Sequence, residues 1–123
     1  MKDTITSIVI MGTVYTIEKH KISEDKVLKE NDFQGYCSED AKLIVVADYD
    51  EKEYYPYLTK KEKAASYKET LRHEIVHAFL NESGLSSSSL RYNGVWAENE
   101  EMVDWIAIQS PKIFKVFEEL DIL

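Results

Sequence analysis

The sequence predicts an α+β fold, because the pattern of apolar residues changes near residue 58. Up to Tyr57, short runs of β-branched and aromatic residues alternate with turn residues, as is typical of strands. From Thr59 onward, apolar residues recur at three- and four-residue steps, as is typical of helices. With 123 residues the chain has the size of one domain with a real core. We therefore expect a single domain, residues 1–123, in which a small sheet precedes several helices.

Two hairpins are predicted in the first half. Ile5–Met11 and Val14–Glu18 flank a Gly-Thr turn, and Tyr36–Cys37 leads through a polar segment to Lys42–Ala47. The intervening Lys26–Asp32 is a weaker pattern that fits a strand or a short helix. Because hairpins pair neighbouring strands in opposite directions, we expect the sheet to be mostly antiparallel.

Three helices are predicted in the second half. Thr59 and Glu62 form the pattern of a capping box at the start of the first helix, and Gly84 supplies a left-handed stop at its end. A second helix is expected over Ala97–Gln109, where most positions are apolar. Ser110–Pro111 then predicts the start of a separate C-terminal amphipathic helix, because proline is favoured at a first helical position.

Composition excludes several functional classes. The net charge of −8 argues against nucleic acid as a partner, since that affinity rests on clustered Lys and Arg. Cys37 is the single cysteine, so it cannot form an internal disulfide, and we expect it to be a small buried side chain. The first residues do not resemble a signal peptide, and the longest apolar run, Leu43–Ala47, is too short for a bilayer. A cytoplasmic protein without a membrane partner is expected. His20, between two lysines, is expected to be exposed and without a role.

The strongest chemical signal is the motif His-Glu-x-x-His in the first long helix. His73 and His77 are four residues apart, which places both imidazoles on one helix face and lets them converge on one metal ion. Glu74 lies about 100° around the helix from His73. It is therefore expected beside the metal, where it can accept a proton from water without being a ligand.

The next helix offers a second pair of polar residues at helical spacing. Glu100 and Asp104 are also four residues apart, so one carboxylate can bind metal while the other accepts the Nδ1–H of a ligating histidine. Glu98 and Glu101 crowd the same segment. Glu101 is the alternative third ligand if the helix is rotated, whereas Glu98 is better explained as a solvated acidic residue at a helix start.

This order of motifs, HExxH and then NExxxD from Asn99 to Asp104, resembles that of the gluzincin metallopeptidases over residues 71–108. The short chain is most similar to small phage and prophage zincins, including the ImmA/IrrE-like group. The resemblance implies a minimal zincin-like domain that binds Zn2+. It also implies roles for five residues: His73, His77 and Glu100 as zinc ligands, Glu74 as general base, and Asp104 as the partner of a ligating histidine.

The function expected from these patterns is zinc-dependent hydrolysis of peptide bonds in a cytosolic protein substrate. Tyr92 and Arg91, between the two metal-bearing helices, are candidates for stabilising the oxyanion, with Tyr92 the preferred one. The strand Leu43–Ala47 is expected to offer an edge to an extended substrate peptide. The protein is expected to be a monomer or a weak dimer. The alternative is a noncatalytic metal-binding module for protein interaction on a zincin scaffold.

Overall fold

The computed structural model describes residues 3–86 and 95–123, and it combines one sheet with three α-helices. The expected α+β class is therefore confirmed. The strands are β1 (Asp3–Ile10), β2 (Thr13–His20), β3 (Gly35–Ser38) and β4 (Leu43–Ala47). The helices are α1 (Lys26–Asn31), α2 (Lys60–Glu82) and α3 (Glu100–Glu119), with short 3-10 turns at Ile22–Glu24 and Trp96–Glu98.

The sheet is mixed, so the expectation of a mostly antiparallel sheet is wrong. Its order is β1-β2-β4-β3; the two hairpins are antiparallel as predicted, but β2 and β4 run parallel. The physical reason lies in the connection that contains α1 and β3. It carries the chain out to the far edge of the sheet before β4 returns beside β2, and a turn of hairpin length could not produce this arrangement.

Strand β4 lies in the centre of the sheet, which corrects the expectation that it offers an edge. Four consecutive residues of β4, from Ile44 to Ala47, are fully buried, because layers cover both faces of the strand. Helix α2 packs on the face of Ile44 and Val46, and the segment around α1 packs on the face of Val45 and Ala47. The edge on this side of the sheet is β3.

Helix α2 begins and ends as predicted. The Thr59 hydroxyl accepts the backbone N–H of Glu62, while the Glu62 carboxylate accepts the backbone N–H of Thr59. At the other end Gly84 has a left-handed backbone, and the N–H of Leu85 donates to the carbonyl of Leu80. These caps define a helix of 23 residues whose middle section carries the His-Glu-x-x-His motif.

Helix α3 continues through Pro111, so the prediction of a separate C-terminal helix is wrong. Proline has no N–H for the carbonyl four residues earlier, which here belongs to Ala107. The Nε–H of Arg72 on α2 donates to that carbonyl instead, at 2.9 Å. The side chain of another helix thus satisfies the backbone group that proline leaves free, and this bond also fixes α3 against α2.

His20 is buried, with only 3% of its surface exposed, so the expectation of an exposed side chain is wrong. Its Nδ1 lies 2.5 Å from Asp25 and its Nε2 lies 2.7 Å from Glu18. Asp25 also caps α1 by accepting the N–H of Leu28, and it accepts the hydroxyl of Tyr36. Burial raises the pKa of Asp25, but these hydrogen bonds outweigh burial and its pKa is lowered overall. The lysines on either side of His20 suggested an exposed position, but His20 belongs to a buried polar cluster that anchors α1 to the sheet.

Within the described residues, none of the helices combines the length and the apolar character required to cross a bilayer.

Candidate metal centre

Helix α2 places the two motif histidines side by side at the floor of a cleft. Both imidazoles are mostly buried, and the Nε2 atoms of His73 and His77 lie 3.1 Å apart. The spacing of four residues explains this proximity, because residues at i and i+4 lie on the same helix face.

The outer nitrogen of each ring faces a group that can only accept a hydrogen bond. The Nδ1 of His73 lies 2.7 Å from the carboxylate of Asp104, and the Nδ1 of His77 lies 2.7 Å from the backbone carbonyl of Ala97. Both Nδ1 atoms must therefore carry hydrogen. In the neutral rings, both Nε2 atoms then present lone pairs to each other.

Glu100 completes this convergence of electron-pair donors. It is the first residue of α3, a position that Asn99 fixes by accepting the N–H of Met102. One carboxylate oxygen of Glu100 lies 2.9 Å from the Nε2 of His77, and the other lies 3.2 Å from the Nε2 of His73. With neutral imidazoles no proton separates these atoms, so they repel one another unless a cation lies between them.

The spacing of these atoms suits a metal ion. Ligands at zinc distances in a tetrahedron are about 3.3 Å apart, which is close to the observed separations. Ligand atoms of His73, Glu74 and His77 also lie within 4.8 Å of one another, and this group could hold a metal ion. Glu100 is nonetheless nearer than Glu74 to the imidazole of His73, since the Glu74 carboxylate is 3.9 Å from that Nε2. The geometry therefore favours His73, His77 and Glu100 as the ligand set.

Glu74 is the one buried carboxylate beside the two imidazoles in the described chain. Only 5% of its surface is exposed, and among the described residues it has no hydrogen-bond partner. Burial raises the pKa of Glu74 to about 8, and the negative charges of Glu100 and Asp104 add to this effect. A cation bound beside Glu74 would favour its ionised form, which is the form that general-base chemistry requires.

Gly35 on β3 makes room for Glu74, and sequence reasoning missed it. A Cβ atom at Gly35 would lie 2.8 Å from the carbonyl oxygen of Val45, 2.9 Å from Cγ2 of Thr70 and 3.2 Å from a carboxylate oxygen of Glu74. Only glycine lets the edge strand approach α2 this closely. The other unforeseen group is the carbonyl of Ala97, since a backbone atom has no signature in the sequence.

Of the other predicted site residues, those that the structure describes do not belong to the group of converging ligand atoms. Glu101 is exposed and does not line the cleft, whereas Glu98 is exposed at its border. Cys37 is half-buried in the cleft wall, where burial raises its pKa to about 12, so its thiol stays protonated at neutral pH. Arg91 and Tyr92, the candidates for stabilising an oxyanion, lie outside the described residues.

The cleft has a volume of about 800 Å³ and is open to solvent. Strand β3 forms one wall, α2 forms the floor, and the start of α3 with the preceding turn forms the other wall. The imidazole pair is therefore open to solvent through this cleft.

Comparison with known proteins adds no identification: no family model matches the chain, and neither a curated protein nor a solved structure shows detectable similarity to it. Functional inference therefore depends on the geometry of the centre.

Proposed function

We propose that the protein is a zinc-dependent, gluzincin-like metallopeptidase that hydrolyses peptide bonds in a protein or peptide substrate. The observation that carries this proposal is the convergence of two Nδ1-anchored imidazoles and the Glu100 carboxylate within 3.2 Å, beside the buried Glu74. The centre opens into a cleft large enough for a peptide segment.

The donor set fits zinc. Two neutral imidazoles and one carboxylate are a common ligand set of catalytic zinc, and they leave a fourth position for substrate or water. When bound, zinc supplies Lewis acidity, which makes water acidic near neutral pH and polarises a carbonyl oxygen. Asp104 and the carbonyl of Ala97 would hold the ligating rings in one tautomer and one orientation.

Glu74 would move the proton during hydrolysis. A water molecule attacks the carbonyl carbon of the scissile peptide bond while a carboxylate oxygen of Glu74 accepts a proton from it. Glu74 then delivers that proton to the amide nitrogen as the C–N bond breaks, so the products are a carboxylate and an amine. The lack of a competing hydrogen bond to Glu74 in the described chain leaves its carboxylate available for this transfer.

The first experiment measures metal content by elemental analysis of tag-free protein. Wild type, Glu74→Gln and Glu101→Ala are expected to bind about one zinc per chain, whereas Glu100→Ala loses most of it. Glu101→Ala is the matched control, because it removes the adjacent carboxylate on the same helix turn. Wild type without zinc after reconstitution would overturn the proposal at its first step.

Turnover is tested separately on zinc-loaded protein with an unstructured protein substrate. Wild type is expected to cleave it, while Glu74→Gln keeps its zinc and loses activity by a factor of about 100 or more. Equal cleavage by both proteins would exclude Glu74 as the base. Zinc binding without cleavage of any substrate would favour the noncatalytic interaction module.

A further inference from the structure

More carboxylates line the cleft around the proposed metal centre than a metal ion would need as ligands. Glu74, Glu100 and Asp104 belong to the centre itself. Four more carboxylates line the same cleft: Asp32, Glu39, Glu69 and Glu98. No Lys or Arg lines it among the residues that the structure describes. Even without Glu74, whose burial disfavours the charged form, six carboxylates line the cleft. A bound divalent cation would offset two of their negative charges and leave the cleft negative.

The four additional carboxylates divide between the two ends of the cleft, two at each end, as the positions of the neighbouring elements indicate. Strand β3 follows the direction of α2, since Gly35 lies against Thr70, and Cys37 farther along the strand lies against Asn81. Asp32 precedes β3 and Glu69 lies one helix turn before His73, so both flank one end. At the other end, Glu39 contacts Ser86 beyond α2, and Glu98 follows the Ala97 carbonyl that contacts His77.

Three of the four additional carboxylates have no basic side chain as a partner in the described residues. Asp32, Glu69 and Glu98 are exposed and form no ion pair with Lys or Arg in residues 3–86 and 95–123. The buried Glu74, which has no hydrogen-bond partner in those ranges, points into the cleft between the two pairs. A concave surface with charges of one sign concentrates the field and attracts ligands of the opposite sign.

We infer that the cleft selects peptides with Lys or Arg on both sides of the scissile bond. This inference rests on the proposed peptidase function and specifies its substrate class. The pair Asp32 and Glu69 would bind a basic side chain at one end, and Glu98 with Glu39 would bind one at the other. An acidic peptide is repelled by the same charges.

Binding is tested with zinc-loaded Glu74→Gln protein, which does not consume the peptide. Three dye-labelled peptides share one apolar centre and carry Lys, Ser or Glu at the flanking positions; fluorescence anisotropy gives their Kd values. The Lys peptide is expected to bind at least about tenfold more tightly than the Ser peptide, and the Glu peptide most weakly. The preference should largely disappear at about 0.5 M salt, where charges are screened within a few ångströms.

Variants locate the effect within the cleft. In the Glu74→Gln background, Glu69→Gln and Glu98→Gln are each expected to weaken binding of the Lys peptide without changing binding of the Ser peptide. Glu119→Gln removes the same charge from the exposed end of α3, outside the cleft, and should leave both affinities unchanged. An equal loss in Glu119→Gln would show that only net charge matters and would overturn the inference.

Cleavage of the three peptides by wild type separates the two proposals. If Ser and Lys peptides are bound and cleaved equally well, the substrate class is wrong and the peptidase function stands. If the Lys peptide binds preferentially but wild type cleaves none of the three, the selectivity stands and the peptidase function fails. Absence of binding by every peptide overturns the inference of a basic substrate.

Discussion

At the residue scale, Gly35 controls how closely the edge strand approaches the proposed general base. In Gly35→Ala the new Cβ would be 2.8 Å from a backbone oxygen of β4, so β3 or Glu74 must shift. We expect the variant to keep its zinc, to lose kcat more than it changes KM, and to unfold about 1–3 kcal/mol more easily. Metal analysis, kinetics and urea unfolding measure the three effects.

Thr70→Ser provides the matched rescue for Gly35→Ala. It removes the methyl group that would lie 2.9 Å from the new Cβ, and it keeps the hydroxyl that is 2.8 Å from the hydroxyl of Tyr49. Partial recovery of kcat in the double variant is expected. Unchanged kcat in Gly35→Ala itself would show that the close approach of β3 does not position Glu74.

Asp104 gives a second prediction at this scale, because it contacts His73 without belonging to the proposed ligand set. Asp104→Ala removes the acceptor of the His73 Nδ1–H, so zinc affinity should fall about 10- to 100-fold. Competition with a chromogenic chelator measures that affinity. Glu101→Ala, on the same helix but outside the cleft, is the control. Equal affinities in the two variants would contradict the role assigned to Asp104.

The sequence could predict the proposed ligands because their geometry is local. His73 and His77 on one helix, and Glu100 and Asp104 on the next, are each brought together by helical spacing alone. Other features of the site and the fold depend on tertiary contacts, which helical spacing does not predict. Gly35 meets Glu74 only where the sheet packs on α2, and the buried His20 contacts Asp25, the residue that caps α1. Flanking lysines are a poor guide to burial when another element covers the residue.

At the element scale, the continuity of α3 depends on the contact between Arg72 and Ala107. Ala107 is buried, with 1% of its surface exposed, and Pro111 cannot donate to its carbonyl. Arg72→Ala should therefore cost about 1–3 kcal/mol in the free energy of unfolding, because a buried carbonyl loses its partner. Urea unfolding at neutral pH measures this cost.

Pro111→Ala tests whether Arg72 acts through the carbonyl of Ala107. Alanine at position 111 restores a backbone N–H that can donate to this carbonyl. The cost of Arg72→Ala should be smaller in the Pro111→Ala background than in wild type. Equal costs in both backgrounds would mean that Arg72 stabilises the protein in another way. The Ser-Pro pair predicted a helix start because proline favours that position, and the local sequence does not reveal the arginine that lets the helix continue.

At the scale of the whole molecule, Glu82 ties the sheet to the end of the helix that carries the centre. Its carboxylate accepts hydrogen bonds from Tyr15 at 2.7 Å, Thr13 at 2.9 Å and Lys42 at 3.0 Å. The bonds from Tyr15, Lys42 and Thr13 lower the pKa of Glu82 to about 2. The carboxylate of this α2 residue thus joins the helix to β2 and to the segment before β4.

This shift links stability to pH with a defined sign. The pKa of Glu82 is lower in the folded protein than its ordinary value of 4.5, so its contribution is complete above that value and is lost as pH falls through about 2. Glu82→Gln should destabilise the protein at pH 7, and the difference in unfolding free energy from wild type should shrink between about pH 5 and pH 2. Urea unfolding at several pH values measures it, with Glu119→Gln as the control for net charge. A difference that stays constant across this range would show that ionised Glu82 does not hold the sheet to α2.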